Sequence, residues 1–571
     1  MTPSRKRRQI LLKGAIIIAF FSLLSKISGL LRVMLLSSRY ATGDIADAYL
    51  TSFRLPDLIF NTLVLGVLSS AFIPIFLEYF DKEKDPNADV ETDALEVGLE
   101  SSETSMASPN VGFAAGVSEL WSGAQRKWHQ YAHEEHTEKW ALANTVLNLV
   151  VLALIVFSVL FFVFAPELVK IMVPSFSANK QALTIEMTRI MLVSTVLFGI
   201  SNVMGGMLQS FQRFFWFSLA PVLYNAGIII GILWFTPIFG PLGLAYGVVF
   251  GAFLHMIIQI PPVLKVGFCW RPVFKIKHNG VKKILLLMAP RTGGLAAIQV
   301  NQVINTFLAS SLSAGSVSAL YYADSLQSLP VSIFGVSLAI AAFPILGASF
   351  NNKDDNAFTE IFSENFRKIL FILIPISLFM ILLRAQIVRL VLGTGSFGWG
   401  ATRATLDAFG FLALSLFAQG TVPLLARAFY ARHDTLTPLI SSAVSVVLNI
   451  VLAFALVSRM GLVGIALAFS IASLCNMTIL WTILRCRLPK LHTTESLLSV
   501  IKISLASLAS GFAVYGMLRV AEHIFNNKRY FGLLGQTAVS AFVGIVLYCI
   551  VVSVWKFPEA QWIAKHLQRR K

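Results

Sequence analysis

The sequence predicts an all-α protein that crosses a membrane many times. Of its 571 residues, 56% are hydrophobic and only 13% are charged, and the mean hydropathy is +0.73. This composition is too apolar for a soluble globular domain. The apolar residues form long segments, and a helix needs roughly 20 such residues to cross a bilayer. Prolines and glycines recur inside these segments, so we expect kinked or broken helices.

Fourteen apolar segments are predicted to span the membrane. They are 14–38, 46–78, 139–164, 183–210, 215–237, 241–264, 281–312, 316–349, 366–392, 402–430, 436–458, 461–485, 497–520 and 530–555. Alternate short connections carry clusters of Lys and Arg, whereas those near 237–241 and 312–316 carry none. This asymmetry predicts that both termini are cytoplasmic. The N-terminus is interpreted as a retained first span, because Lys26 and Arg32 interrupt its apolar run and no cleavage site stands out.

Charge, cysteines and motifs exclude several other classes. The 46 Lys and Arg outnumber the 29 Asp and Glu, and membrane topology explains this excess. A nucleic-acid partner is not indicated, because the sequence lacks a basic run interleaved with aromatic residues. The four cysteines lack the spacing of a zinc site or a disulfide framework. The sequence contains no Walker, GxSxG or HExxH motif. We therefore expect transport without covalent chemistry, and no enzyme, metal or cofactor.

Residues 81–138 differ from the rest of the chain. They hold thirteen acidic and four basic residues, a net charge of −9. This composition predicts a mostly disordered cytoplasmic insertion. Within it, His129, His133 and His136 have a spacing that can bind zinc, but a solvated approach to the third span is the favoured interpretation.

Internal repeats divide the chain. ADAYLTSFRLPDLIFNTLVLGVLSSAFIPIF is echoed by ALYYADSLQSLPVSIFGVSLAIAAFPIL, and GPLGLAYGVVFGAFLHMII by GLVGIALAFSIASLCNMTI. We predict an N-terminal lobe of six spans at 1–264, a C-terminal lobe of six spans at 265–490, and two further spans with a basic tail at 491–571. Parallel repeats are typical of transporters that rock two lobes around a central site.

Ionisable residues inside the second span are the first candidate site. Such groups are expensive in lipid and are kept mainly where they face protein or water. Asp47, Arg54 and Asp57 recur at helical spacing and are expected to form one stripe beside the helix bend at Pro56. The alternative is that Arg54 and Asp57 neutralise each other in helix packing.

Cations and polar groups in the other opening spans complete the candidate site. The first span carries Lys26 and Arg32; the seventh carries Arg291, with Asn301 and Gln302 further along; and the eighth carries Asp324. Lys and Arg in a central cavity would bind phosphate, and the planar fork of arginine makes two hydrogen bonds to it. We expect Lys26, Arg32, Arg54, Arg291, Asn301 and Gln302 to bind substrate, and Asp47, Asp57 and Asp324 to serve gating or lobe contacts.

Several motifs carry a resemblance to a known family. SKISGLLR, ADAYLTSFRLP, AGSVSALYYAD and ARHDTLTP resemble the MurJ (MviN) lipid II flippases of the multidrug/oligosaccharidyl-lipid/polysaccharide flippase superfamily. The resemblance implies fourteen spans and a cationic cavity between two six-helix lobes. It also implies that the protein moves the undecaprenyl-pyrophosphate-linked peptidoglycan precursor from the inner to the outer leaflet of the bacterial inner membrane by alternating access.

The resemblance extends to partners and single residues. It implies lipid II, membrane lipids and other cell-wall synthesis proteins as partners. No cofactor is expected, and coupling to an ion or to the membrane potential is left open. Lys26 and Arg32 fall where the family has cavity arginines, and Asp47 matches the acidic residue that opens the second span. The family's further charges fall at Phe60, Leu65 and Ser325 here.

Three alternatives to a lipid II flippase remain open. A flippase for another polyprenyl-linked oligosaccharide would need a similar pyrophosphate cavity. A multidrug cation exporter would need an acidic cavity, which Lys26, Arg32 and Arg291 argue against. A non-transporting membrane scaffold would explain the missing family charges.

Overall fold

The computed structural model describes residues 3–65, 72–82, 138–488, 493–527, 529–557 and 559, and every regular element in these ranges is a helix. The predicted all-α class is therefore confirmed. The helices are α1 (Pro3–Tyr40), α2 (Asp44–Ser52), α3 (Arg54–Phe60), α4 (Ile73–Lys82), α5 (Glu138–Val163), α6 (Ala165–Met172), α7 (Ala178–Ser210), α8 (Phe214–Ile230), α9 (Gly243–Ile257), α10 (Ile260–Lys265), α11 (Asn279–Ser310), α12 (Ser316–Pro330), α13 (Ser337–Asn351), α14 (Asp355–Leu382), α15 (Arg384–Val391), α16 (Trp399–Ala413), α17 (Leu416–Ala431), α18 (Leu436–Met460), α19 (Leu462–Arg487), α20 (Thr493–Ile524) and α21 (Tyr530–Val554). Residues 83–137 of the predicted insertion, with their three histidines, lie outside the described residues.

The number of membrane crossings depends on how broken helices are counted. In the described ranges, ten helical runs are long and apolar enough to cross a bilayer, or eleven if α16 and α17, which meet at a 47° bend, form one span. The run Phe214–Lys265 counts once although it covers two predicted spans, and α11 and the broken stretch from α2 to α4 are not among the ten. The count of fourteen stays a prediction.

The chain divides into two compact units. Unit 1 comprises 1–32, 51–171 and 177–300, and unit 2 comprises 33–50, 172–176 and 301–571. The division follows packing, whereas the predicted lobes follow sequence repeats. The predicted boundaries at 264 and 490 therefore stay predictions.

Glycines allow two helices of unit 1 to pack backbone to backbone. A Cβ atom on Gly227 of α8 would lie 2.3 Å from the Cα of Gly251 on α9, and one on Gly231 would lie 2.5 Å from the Cα of Gly247. Only glycine permits this approach, and small residues are the usual means by which membrane helices pack backbone to backbone. A buried apolar cluster that includes Phe72, Phe76 and Leu142 fills the rest of this unit.

Unit 2 contains its own close approach and its own core. A Cβ on Gly335 would lie 2.6 Å from the Cα of Gly420 in α17. Phe362 and Phe366 of α14 stack beside Trp481 of α19, with 4.4 Å between the Phe366 and Trp481 ring centroids. These contacts hold α14, α17 and α19 around one apolar centre.

Both copies of the echoed Leu-Pro motif contain a π-helical turn. In unit 1, α3 contains Pro56 and continues into the π turn Asn61–Leu65. In unit 2, α12 ends at Pro330 and continues into the π turn Val331–Val336. The broken helices expected from the prolines are thus present, and the break takes the same form in both copies.

Candidate functional site

The first helix is held in unit 1 by one asparagine of α8. The Asn225 Nδ2 atom donates to the Ser25 carbonyl oxygen at 3.1 Å and lies 3.3 Å from the Ser28 hydroxyl. These contacts are close to Lys26, which is exposed, and to Arg32, which is partly exposed. Asn225 therefore fixes the part of α1 that carries both predicted cations.

Arg32, Arg54 and Asp57 form a charge cluster within unit 1. Arg54 begins α3, and Asp57 follows one turn later on the same helix. The guanidinium groups of Arg54 and Arg32 both act electrostatically on the Asp57 carboxyl group. The predicted proximity of Arg54 to Asp57 is thus observed, and α1 adds Arg32. Two guanidinium groups can bind a phosphate by charge-assisted hydrogen bonds.

A cavity of about 330 Å³ lies beside Asp57 in unit 1. Its wall comprises Phe53, Pro56, Asp57, Phe60, Asn61, Ser194, Thr195, Phe198, Asn202, Pro221, Tyr224 and His255. Four of these residues carry Phe or Tyr rings, and carboxyl, amide, hydroxyl and imidazole groups supply the polar part. Phe60 packs against Phe198 with 5.5 Å between ring centroids.

His255 belongs to a hydrogen-bonded group behind this cavity. Its Nδ1 atom lies 2.6 Å from the Ser201 hydroxyl oxygen, and the Gln259 amide donates to the same oxygen at 2.6 Å. Ser201 and Gln259 are fully buried. These contacts fix the imidazole on the α9 side of the cavity.

Asp47 lies in unit 2 and caps a helix. Its carboxylate accepts from the Gly315 and Ser318 backbone N–H groups, each at 2.8 Å, and from the Ser318 hydroxyl at 2.7 Å. Gly315 has φ of +90°, and a Cβ there would lie 2.2 Å from the Thr42 carbonyl oxygen. Asp47 therefore satisfies the free N–H groups at the start of α12.

The residues of the expected stripe fall on two helices. The structure ends α2 at Ser52 and begins α3 at Arg54, and both carboxylate oxygens of Asp47 bond to the start of α12. The stripe that joins Asp47 to Arg54 and Asp57 stays a prediction. A gating role for Asp47 stays a prediction as well.

Two of the candidate residues of the seventh span, Asn301 and Gln302, form hydrogen bonds within unit 2, and the side chain of the third lies outside the described residues. The Asn449 amide donates to the Asn301 side-chain oxygen at 2.6 Å and lies 3.3 Å from that of Asn305. The Gln302 carbonyl oxygen accepts from the Thr306 hydroxyl at 2.8 Å. Arg291 lies in α11, and its side chain is outside the described part of the molecule. Substrate binding by these residues stays a prediction.

Asp324 joins an amide pair in unit 2. Its carboxylate accepts from the Gln327 amide at 3.0 Å. Gln327 and Gln419 exchange hydrogen bonds of 3.0 and 3.1 Å, and Gln419 also donates to Ser415 at 2.9 Å. The network ties α12 to α17 at the α16–α17 bend. A gating role for Asp324 stays a prediction.

Sequence reasoning missed the residues that complete the unit 1 cavity. Asn61, Thr195 and Asn202 are single polar residues on apolar helices, which occur commonly. His255 gave the clearest signal, because GAFLHMIIQI places an imidazole inside an otherwise apolar run. Across the described ranges, no three His, Cys, Asp or Glu side chains are grouped closely enough to hold a metal ion.

Comparison with known proteins identifies the family. The sequence model described as "Lipid II flippase MurJ" matches residues 128–534, more than two thirds of the chain. The chain belongs to the MurJ family. It is 26% identical over 512 residues to a probable lipid II flippase MurJ of Treponema pallidum, covering 88% of each protein. It is 25% identical over 487 residues to the lipid II flippase MurJ of Burkholderia cenocepacia, covering 84% of each.

Solved structures show that the fold is shared as well. An inward closed MurJ lipid II flippase matches with a TM-score of 0.70 at 20% identity, covering 95% of this chain and 98% of that one. An inward-facing MATE multidrug transporter of the MOP superfamily matches with a TM-score of 0.62 at 15% identity, covering 84% and 99%. The chain is thus a multi-pass bacterial membrane protein of the MurJ flippase family.

Proposed function

We propose that this protein moves lipid II, the undecaprenyl-pyrophosphate-linked peptidoglycan precursor, from the inner to the outer leaflet by alternating access. The observation that carries the proposal is the MurJ family match over residues 128–534. The family consists of flippases, so the reaction is movement of an intact lipid. The protein must bind and release the pyrophosphate without breaking a bond.

Arg32 and Arg54 are the residues we assign to the pyrophosphate in unit 1. Both act electrostatically on the carboxyl group of Asp57, which lines the cavity of unit 1. A guanidinium group binds phosphate through two parallel hydrogen bonds, which gives orientation as well as charge. Lys26 precedes Arg32 by six residues on α1 and is exposed, so it adds positive charge along the same helix.

The membrane orientation follows from the basic connections. We propose that both termini are cytoplasmic in the bacterial inner membrane, because Lys and Arg cluster in alternate short loops. Membrane lipids and other cell-wall synthesis proteins are the partners expected for this role. Single cysteines placed at the two ends and labelled with an impermeant thiol reagent test the orientation, and labelling in intact cells would contradict it.

Depletion and replacement test the transport function. In cells depleted of the protein, lipid II should accumulate in the inner leaflet, protected from an impermeant hydrolase added outside. Wild-type protein should restore cleavage. Undiminished outer-leaflet lipid II in depleted cells would contradict the proposal, and accumulation of another polyprenyl-linked glycan would favour the alternative flippase.

Substitutions of Arg54 test the binding assignment. Arg54→Ala should weaken binding of purified protein to a polyprenyl pyrophosphate by about tenfold to a hundredfold, because one charge-assisted interaction contributes about 1.5–3 kcal/mol. Arg54→Lys should lose less, since it keeps the charge without the fork. Arg459→Ala, at an exposed position in the last turn of α18, is the control. If Arg54→Ala with Asp57→Ala restored full binding, the pair would be structural.

A further inference from the structure

The carboxyl group of Asp57 lines a cavity and is in the electrostatic field of two arginines. We propose that Asp57 is a protonatable counter-ion. It takes up one proton when a phosphate group binds Arg32 and Arg54, and it returns that proton when the phosphate leaves. This inference rests on the proposed function, because it assigns a proton as the second ligand of the same site.

Competition for the two arginines is the first argument. In the absence of substrate, the Asp57 carboxylate lies in the field of both guanidinium groups. A phosphate bound to those groups brings a second negative charge close to the carboxylate. Like charges held together in a partly desolvated site cannot both remain ionised without a large penalty. Protonation of Asp57 removes the repulsion and leaves both arginines to the phosphate.

A route for the proton is the second argument. Asp57 lines the cavity of about 330 Å³, which has room for several water molecules. Thr195 lines it too and is only 1% exposed, yet its hydroxyl has no hydrogen-bond partner among the described residues. Asn61 and Asn202 add amide groups to the same wall. Water held by these groups would carry protons to and from Asp57.

Among the described residues, the ionisable groups that act on Asp57 or share its cavity wall are Arg32 on α1, Arg54 on α3, Tyr224 on α8 and His255 on α9. From α7 the cavity wall receives Ser194, Thr195, Phe198 and Asn202, none of which titrates. Helix α5 also packs against α3, and its ionisable residues are confined to Glu138 and Lys139 in its first turn. His255 is therefore the one other residue type in this wall whose ordinary pKa is near neutral, so it is the control for the source of the proton.

Calorimetry of the full-length protein in detergent tests the proposal. The probe is geranylgeranyl pyrophosphate, titrated between about pH 5.5 and 8.5 in buffers of different ionisation enthalpy, which reports protons taken up per ligand. Asp57→Asn is isosteric and permanently neutral. Wild type should take up about one proton more than Asp57→Asn, and its Kd should rise up to about tenfold per pH unit relative to that variant. Titration of the probe itself cancels in the comparison.

Two further variants separate the sources of the proton. Glu186→Gln removes an exposed carboxylate of α7 and should behave as wild type. His255→Gln should keep the extra proton uptake. If Asp57→Asn binds with wild-type proton uptake, or if His255→Gln alone abolishes the uptake, the proposal is wrong.

Wild-type protein alone also decides the question if Asp57→Asn does not fold. Proton uptake no greater than that of the probe overturns the counter-ion role while leaving the flippase intact. Absence of probe binding at every pH overturns the assignment of Arg32 and Arg54, and this inference with it. Asp57→Glu, which keeps a carboxyl group, should retain the extra uptake.

Discussion

Replacement of Asp47 should destabilise unit 2 strongly. Asp47 is 1% exposed, and its carboxylate accepts three hydrogen bonds of 2.7 to 2.8 Å from Gly315 and Ser318. Asp47→Ala leaves two buried backbone N–H groups without this acceptor. Each such group costs about 1–3 kcal/mol, so we expect a loss of about 2–6 kcal/mol in the free energy of unfolding.

Asp47→Asn should lower the free energy of unfolding less than Asp47→Ala does. One side-chain oxygen remains to accept a hydrogen bond, but the new amide NH₂ group faces another donor. Ser318→Ala should cost about 1 kcal/mol, since only a hydroxyl is lost. Asp44→Ala is the matched control on the same helix. Asp44 is exposed and lies in the first turn of α2, where an acidic residue contributes about 0.3–1 kcal/mol.

Thermal unfolding of the detergent-purified variants measures the effect. The midpoints should rank wild type, Asp44→Ala, Asp47→Asn and Asp47→Ala in descending order. An Asp47→Ala protein that unfolds at the wild-type midpoint would refute the capping argument. Loss of transport in Asp47→Asn at an unchanged midpoint would instead support the gating role predicted from the sequence.

Three further predictions concern other parts of the molecule. Burial alone would raise the pKa of Asp434, but hydrogen bonds from the hydroxyl and backbone N–H of Thr437, together with Arg487, outweigh it and lower the pKa to about 2. Because the folded-state pKa is below the ordinary value, ionised Asp434 stabilises the folded protein above about pH 4, and this stabilisation is lost as pH falls towards 2. The unfolding midpoints of wild type and Asp434→Asn should therefore become equal in acid. Gly227→Ala should lower the midpoint by forcing a Cβ against Gly251, at about 1–3 kcal/mol, whereas Gly516→Ala, which meets open space, should not lower it. Asn225→Ala should weaken pyrophosphate binding although it removes no charge, because α1 loses its contacts at Ser25 and Ser28; unchanged binding would show that α1 is positioned by other means.

Local features of the site could be predicted from the sequence. Arg54 and Asp57 are three residues apart, and helical geometry brings such residues together whatever surrounds them. The length of each apolar segment likewise predicted helices. The break between α2 and α3 agrees with the bend expected at Pro56, because proline lacks an N–H group and its ring clashes with the carbonyl four residues earlier, here that of Ser52, where α2 ends.

Features that depend on distant residues could not be predicted. Asp47 bonds to residues 268 and 271 positions away, and nothing in ADAYLTSFRLPD indicates that partner. Arg32 reaches Asp57 only because α1 packs in unit 1, where Asn225 holds it. The cavity needs four helices to meet, and each contributes polar residues that are unremarkable alone. Residue periodicity could not predict which kind of substrate is transported, and that prediction came from the resemblance to a family.

The π turn after the Leu-Pro motif of unit 2 changes how the rest of its helix is oriented. A π turn holds one residue more than an α turn, and each residue of an α-helix rotates the chain by about 100°. Residues of α13, which follows this turn directly, therefore present faces displaced by that angle from those an unbroken helix would present. Deleting a single residue from Val331–Val336 would restore α geometry and rotate α13 by about 100°, exchanging its buried face for another. The extra residue in Val331–Val336 thus determines which side chains of α13 are buried.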